Sequence, residues 1–75
     1  MNNSNVAKIQ LNGGPYEING GTNLNTLLNK LKIQKNKVAI EVNGEIVQKA
    51  KYETLVLNKD DKVEIVHFIY PPPIK

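Results

Sequence analysis

A run of four leucines has the spacing of an amphipathic helix, and this feature most constrains how the chain can fold. The leucines recur at i, i+3, i+4 and i+7, which places them on one helix face: Leu24, Leu27, Leu28 and Leu31. Asn19-Gly-Gly21 breaks the preceding pattern, and Thr22 or Asn23 can cap the first turn. We therefore predict one helix over Asn23–Lys32, whose apolar face must be covered by the rest of the chain.

Alternation of apolar and polar residues predicts a hairpin before this helix. Val6–Leu11 alternates with the period of a half-buried strand. Asn12-Gly-Gly-Pro15 supplies turn residues that tolerate a positive φ. Tyr16 and Ile18 share one side of the short run that follows, so we predict a second strand there.

Another hairpin is predicted after the helix. Lys37–Val42 alternates again, and Asn43-Gly44 is the dipeptide that a tight type I′ turn favours. Ile46 begins the returning strand. The segment Ala50–Asn58 has no regular period and is predicted to be irregular, with Leu55 and Leu57 as anchors and a polar turn after it.

The last predicted strand, Lys62–Ile69, is apolar on both sides. Val63 and Ile65 share one side, and Val66 and Phe68 share the other. Strands with this pattern are covered on both faces or lie in the middle of a sheet.

These elements predict an α+β fold, in which a mixed sheet packs on one helix and the last strand lies parallel to the first. This is the β-grasp, or ubiquitin-like, architecture. The residues that share the inner side are the predicted core: Ile9, Leu11, Leu24, Leu27, Leu28, Leu31, Val38, Ile40, Val63 and Ile65.

The length of 75 residues allows one small core. We expect a disordered N-terminal end over residues 1–5, a single domain over residues 6–69 and a proline-rich tail over residues 70–75. The polar start predicts neither a signal peptide nor a membrane span. Because cysteine is absent, the cytoplasm is the expected location.

The residue types needed for catalysis or metal binding are scarce. His67 is the only histidine, so neither a catalytic triad nor a usual metal site is predicted, and His67 is interpreted as a strand residue. Asp60 and Asp61 are adjacent and lack the spaced ligands of a calcium loop. The sequence therefore predicts a protein that is not an enzyme, with no catalytic residue, no metal and no cofactor.

The net charge of +3 arises from ten lysines and no arginine. Because phosphate and base recognition favour the planar guanidinium, we expect no nucleic-acid partner and interpret the lysines as a solvated surface. No membrane partner is expected either.

Four segments together resemble the ThiS family, the sulfur carrier proteins of thiamine biosynthesis. They are Gly20–Leu28, Val38–Val47, Asp60–Val66 and His67–Ile69. The resemblance extends from about Lys8 to Ile69, and the Val-Asn-Gly-Glu-Ile-Val hairpin followed by Asp-x-Val-Glu-Ile-Val is specific only in combination.

The resemblance implies a carrier with a flexible C-terminal Gly-Gly. A ThiF-like enzyme adenylates this end, sulfur converts it to a thiocarboxylate, and the product is delivered to thiazole synthase. In this sequence Tyr70 and Pro71 stand where Gly-Gly is expected, and no glycine follows Gly44. We therefore expect the chain to be inactive as a sulfur carrier as written.

Several interpretations of this departure remain open. The tail could be a cloning change on a true carrier, a natural paralogue's loss of the chemistry, or a proline-rich ligand for an aromatic groove. The alternative function is a ubiquitin-like binding or regulatory module that carries no sulfur. The related small subunit of molybdopterin synthase is a further carrier possibility, but it also needs Gly-Gly.

A partner-binding surface is predicted on the last strand. Val66 and Phe68 share the side of Glu64 rather than that of the core, and Ile69 follows them. We expect Val66, Phe68 and Ile69 to form a partly apolar surface that suits a protein partner; a loop that covers these residues is the competing expectation.

Overall fold

The computed structural model describes residues 5–68. Within this range the strands and the helix follow one another in this order: β1 (Val6–Leu11), β2 (Gly14–Asn19), α1 (Leu24–Leu31), β3 (Val38–Val42), β4 (Glu45–Val47) and β5 (Lys62–His67). Short 3₁₀ turns occupy Lys35–Lys37, before β3, and Lys49–Lys51, after β4.

The strands form one mixed sheet in the order β2-β1-β5-β3-β4. β1 and β5 are parallel, and the other neighbours are antiparallel. The predicted α+β, β-grasp fold is confirmed, including the parallel pairing of the first and last strands. β5 lies in the middle of the sheet, as its apolar residues on both sides predict.

Both termini of the helix lie where the sequence predicts them. Asn23 is the N-cap, and its side-chain oxygen accepts a hydrogen bond from the Thr26 N–H at 2.7 Å. Lys32 is the C-cap in the left-handed conformation, with φ of 61°. The predicted range Asn23–Lys32 therefore comprises the helix Leu24–Leu31 and its two caps.

The core lies between α1 and the inner face of the sheet. Its buried hydrophobic residues are Ile9, Ile18, Leu24, Leu27, Leu28, Val38, Ile40, Tyr52, Leu57, Val63 and Ile65. Eight of the ten predicted core residues are in this set. Leu11 and Leu31 are instead partly buried against it, because they lie at the ends of β1 and α1.

Both hairpins turn through an Asn-Gly pair with positive φ at each residue. The angles are 49° and 85° at Asn12 and Gly13, and 54° and 88° at Asn43 and Gly44. This is the combination that a type I′ turn requires. Pro15 follows the first turn on β2, an edge strand, where its missing N–H costs no hydrogen bond within the sheet.

Some predictions concern residues outside the described range. Residues 1–4 of the predicted disordered end are outside that range. Ile69 and the tail with Tyr70 and Pro71 are outside it as well. The domain limits at residues 6 and 69 therefore stay predictions. Over residues 5–68, no helix has both the length and the apolar character needed to cross a membrane.

Candidate partner-binding surface

The outer face of the sheet, on the side away from α1, carries an apolar patch on the neighbouring strands β3 and β5. Val66, on β5, is 55% exposed, and Phe68, just after the end of β5, is 49% exposed. Ala39 lies directly opposite Val66 across β3 and β5, so it shares this face. We call Ala39, Val66 and Phe68 the apolar patch.

The apolar patch lies where the chain leaves the sheet. The Phe68 N–H donates a hydrogen bond of 2.9 Å to the Lys37 carbonyl oxygen, so pairing with the chain before β3 continues one residue beyond β5. This hydrogen bond fixes the backbone at Phe68, the last described residue. Ile69, the third predicted contact residue, lies beyond the described range.

Acidic residues occupy the same face farther along the strands. Glu41 and Glu64 are directly opposite each other across β3 and β5, and Ile46 lies opposite Glu41 on β4. Ile46 is 70% exposed. A shallow groove runs beside these residues, and we call it the carboxylate groove; it is lined by Glu41, Asn43, Gly44, Asp60, Lys62 and Glu64.

The carboxylate groove is held by hydrogen bonds between a turn and a loop. The Asn43 side chain donates to Asp61 Oδ1 at 3.0 Å and accepts from the Lys62 N–H at 2.9 Å. Asp61 Oδ2 in turn accepts from the Asn58 N–H at 2.8 Å. Asp61 therefore stabilises the polar turn that the sequence predicts, whereas Asp60 lines the groove.

A second asparagine supports β5 from the other side. The Asn12 side-chain oxygen accepts from the Ile65 N–H at 2.7 Å, and its amide nitrogen donates to the Ile65 carbonyl at 3.4 Å. The backbone pairing of β1 and β5 ends at Leu11 and Val63. The Asn12 side chain thus extends the contact toward the apolar patch, a role that sequence reasoning missed because an asparagine in a turn gives no sign of a distant partner.

The titratable groups of residues 5–68 include His67 at the end of β5 and Tyr52 in the core. His67 is an exposed residue at the end of β5, opposite Val38, as its interpretation as a strand residue requires. Burial raises the pKa of Tyr52, and a hydrogen bond with the backbone of Ile40 partly opposes the rise. Within residues 5–68, no three His, Cys, Asp or Glu residues come together in a way that could hold a metal ion.

Known proteins that are similar to this chain include thiamine biosynthesis proteins. A sequence profile of the ThiS family matches residues 9–71. The crystal structure of the thiamine biosynthesis protein ThiS from Geobacter metallireducens superposes with a TM-score of 0.72 at 29% identity, covering 83% of this chain and 94% of that one.

Two further relatives differ in length. The thiazole synthase of Magnetococcus marinus is 44% identical over 69 residues, which cover 87% of this chain and 21% of that protein. The chain thus spans about a fifth of that thiazole synthase. The uncharacterized protein ycf40 of Porphyra purpurea is 33% identical over 69 residues, covering 92% of this chain and 96% of ycf40.

Proposed function

This chain belongs to the ThiS family, and from that premise we propose that its folded body is a sulfur carrier of thiamine biosynthesis whose tail is unsuited to carrying sulfur. The observation that carries the proposal is the match of 83% of the chain to a solved ThiS structure, with a TM-score of 0.72. The family profile supports it over residues 9–71.

The chemistry that the family resemblance implies takes place at a terminal carboxylate. That carboxylate attacks the α-phosphorus of ATP, pyrophosphate leaves, and an acyl adenylate forms. A sulfur nucleophile at the oxidation level of sulfide then forms a C–S bond, AMP leaves, and the product is a thiocarboxylate. The carrier supplies a chain end and a docking body, while the partner enzymes supply the catalysis.

The residues after Ile69 do not suit this chemistry. A chain end that enters a narrow active site must be slender and must bend freely, as glycine does. The sequence there reads Tyr70 and then three prolines, so a bulky side chain and rigid imino acids stand where the family resemblance implies two glycines. We therefore propose that the chain as written docks to its partners without being adenylated.

Two enzymes are the proposed partners, a ThiF-like adenylating enzyme and thiazole synthase. The similarity to a segment of the Magnetococcus marinus thiazole synthase supports the second. Val66, Phe68 and Ile69 are the proposed contact residues, supported by the exposure of the first two. In this proposal the chain is not itself an enzyme and acts in the cytoplasm.

Growth of a thiamine auxotroph tests this function. A bacterial strain that lacks its own sulfur carrier is supplied either with this chain or with a version in which Gly-Gly ends the chain after Ile69. We expect growth without thiamine for the Gly-Gly version only. If the Gly-Gly version is expressed and folded but supports no growth, the ubiquitin-like module without sulfur chemistry is the better account.

A further inference from the structure

We propose that the outer face of β3 and β5 docks a partner protein that presents a basic side chain beside an apolar surface. The apolar surface covers the apolar patch, and the basic side chain enters the carboxylate groove. The apolar patch and the carboxylate groove define the chemistry and orientation of the partner without reference to sulfur transfer. Only the choice of binding probe below rests on the proposed function.

The apolar half of this face is open to a partner. Val66 and Phe68 are about half exposed, although Val66 lies on the central strand β5 and Phe68 follows that strand directly. Ile46, on the other side of Glu41, is 70% exposed. Apolar side chains gathered on one sheet face are typical of interaction surfaces, because their burial against a partner removes apolar area from water.

The acidic residues on this face do not stabilise the sheet. Like charges directly opposite each other on neighbouring strands are destabilising, and Glu41 and Glu64 are so placed. Asp60 adds a third carboxylate to the carboxylate groove, against the single ammonium group of Lys62. The groove therefore carries excess negative charge in a chain whose net charge is +3.

The neighbouring strands do not remove this excess. On the outer sides of β1 and β2, Lys8 and Glu17 are directly opposite each other, so these two charges offset one another. A cation supplied by a partner would relieve the repulsion between Glu41 and Glu64. Charge complementarity therefore favours a protein surface with an arginine or lysine, and it disfavours an anionic membrane or a nucleic acid.

The arrangement also fixes the orientation of the partner. Glu64 lies on β5 and Phe68 follows the end of that strand, four residues later, which corresponds to about 13 Å at roughly 3.3 Å per residue. The chain continues toward its tail from the Phe68 end. The basic side chain of the partner is thus expected about 13 Å from the part of its apolar surface that contacts Phe68.

Calorimetric titration of the intact chain tests this inference, with the ThiF-like enzyme and the thiazole synthase of the same genome as separate probes. The variant E41Q/E64Q removes two charges from the carboxylate groove, and the control E17Q/E53Q removes two charges from exposed sites outside it. We expect the Kd for at least one probe to rise about tenfold or more for E41Q/E64Q and less than about twofold for the control. The binding of the unmodified chain should weaken with added salt, and that of E41Q/E64Q should do so less steeply.

A second pair of variants tests the apolar half. Phe68→Ser should raise the Kd at least tenfold, whereas Val56→Ser, at an exposed apolar residue elsewhere, should leave it within about twofold. Equal affinities for each variant and its control would overturn the inference, as would self-association of the chain through this face in place of partner binding. Growth of the auxotroph on the Gly-Gly version without this charge dependence of binding would refute the inference alone. Charge-dependent binding without growth on the Gly-Gly version would refute the sulfur-carrier function alone.

Discussion

The side-chain amide of Asn12 makes two hydrogen bonds to the backbone of Ile65, a residue 53 positions away in the sequence. Asn12 also adopts the positive φ that the first turn requires. Asn12 therefore forms part of the first turn and also links that turn to the central strand β5 by hydrogen bonds. The strand it fastens is the one that carries the apolar patch.

Replacing Asn12 with glycine should separate these two roles. Glycine keeps the positive φ but loses both bonds to Ile65, so we expect Asn12→Gly to lower the free energy of unfolding by about 1–2 kcal/mol. Urea denaturation measures the change. Asn3→Gly, in the polar segment before β1, is the control substitution. Equal stability of the Asn12→Gly variant and the unmodified protein would show that the two bonds contribute nothing.

The helix cap gives a second stability prediction. Asn23→Ala removes the acceptor of the Thr26 N–H and the donor to the Glu53 carbonyl, and it should cost about 1–2 kcal/mol. Asn23→Asp keeps the capping oxygen and should cost less than the alanine variant. Thermal unfolding of both variants checks the order, and an aspartate variant as unstable as the alanine variant would contradict the capping role.

Truncation of a buried core side chain should lower the stability of the protein far more than truncation of an exposed apolar side chain. Leu27 is fully buried, so Leu27→Ala should lower the free energy of unfolding by about 2–5 kcal/mol. Val66→Ala, on the exposed face, should change it by no more than about 0.5 kcal/mol. A loss of several kcal/mol for Val66→Ala would indicate that the apolar patch serves folding rather than binding.

Alkaline pH should destabilise the protein through Tyr52. Burial raises the pKa of its hydroxyl above that of the unfolded chain, so the unfolded state loses the proton first. Stability from this group is fully present below the unfolded pKa of about 10 and is lost as pH rises toward and through the folded pKa. Tyr52→Phe should flatten the decline in stability above about pH 10. An equally steep decline in that variant would assign the effect to other groups.

Local patterns in the sequence predict most of the fold. The helix follows from four leucines and a capping asparagine, and both turns follow from Asn-Gly pairs. The apolar residues on both sides of β5 predict its central place, which the strand order confirms, while the outer side of the strand is exposed at Val66. These features are local, so neighbouring residues are sufficient to indicate them.

The segment between β4 and β5 could not be predicted in the same way. Its backbone bonds run to distant partners, from the Leu57 N–H to the Thr22 carbonyl and from the Asn25 N–H to the Tyr52 carbonyl. These contacts bury Tyr52 and Leu57 without any regular period in the sequence. The predicted anchoring role of Leu57 is confirmed, whereas burial of Tyr52 depends on tertiary contacts that only the structure reveals.

The candidate surface was predictable in part. The side of β5 occupied by Val66 and Phe68 follows from alternation, and their exposure agrees with it. The opposition of Glu41 and Glu64 depends on the register between β3 and β5, which joins residues 23 positions apart. Register over that distance is set by the fold as a whole, so the carboxylate groove emerged only with the structure.

Mass spectrometry of two tails tests the central claim most directly. The unmodified chain and the version that ends in Gly-Gly after Ile69 are each incubated with the ThiF-like enzyme, ATP and a sulfur donor. We predict a mass increase of about 16 Da, from replacement of one oxygen by sulfur, on the Gly-Gly version and none on the unmodified chain, because the body supplies the docking surface and only the tail is unfit. The same mass increase on the unmodified chain would contradict this account.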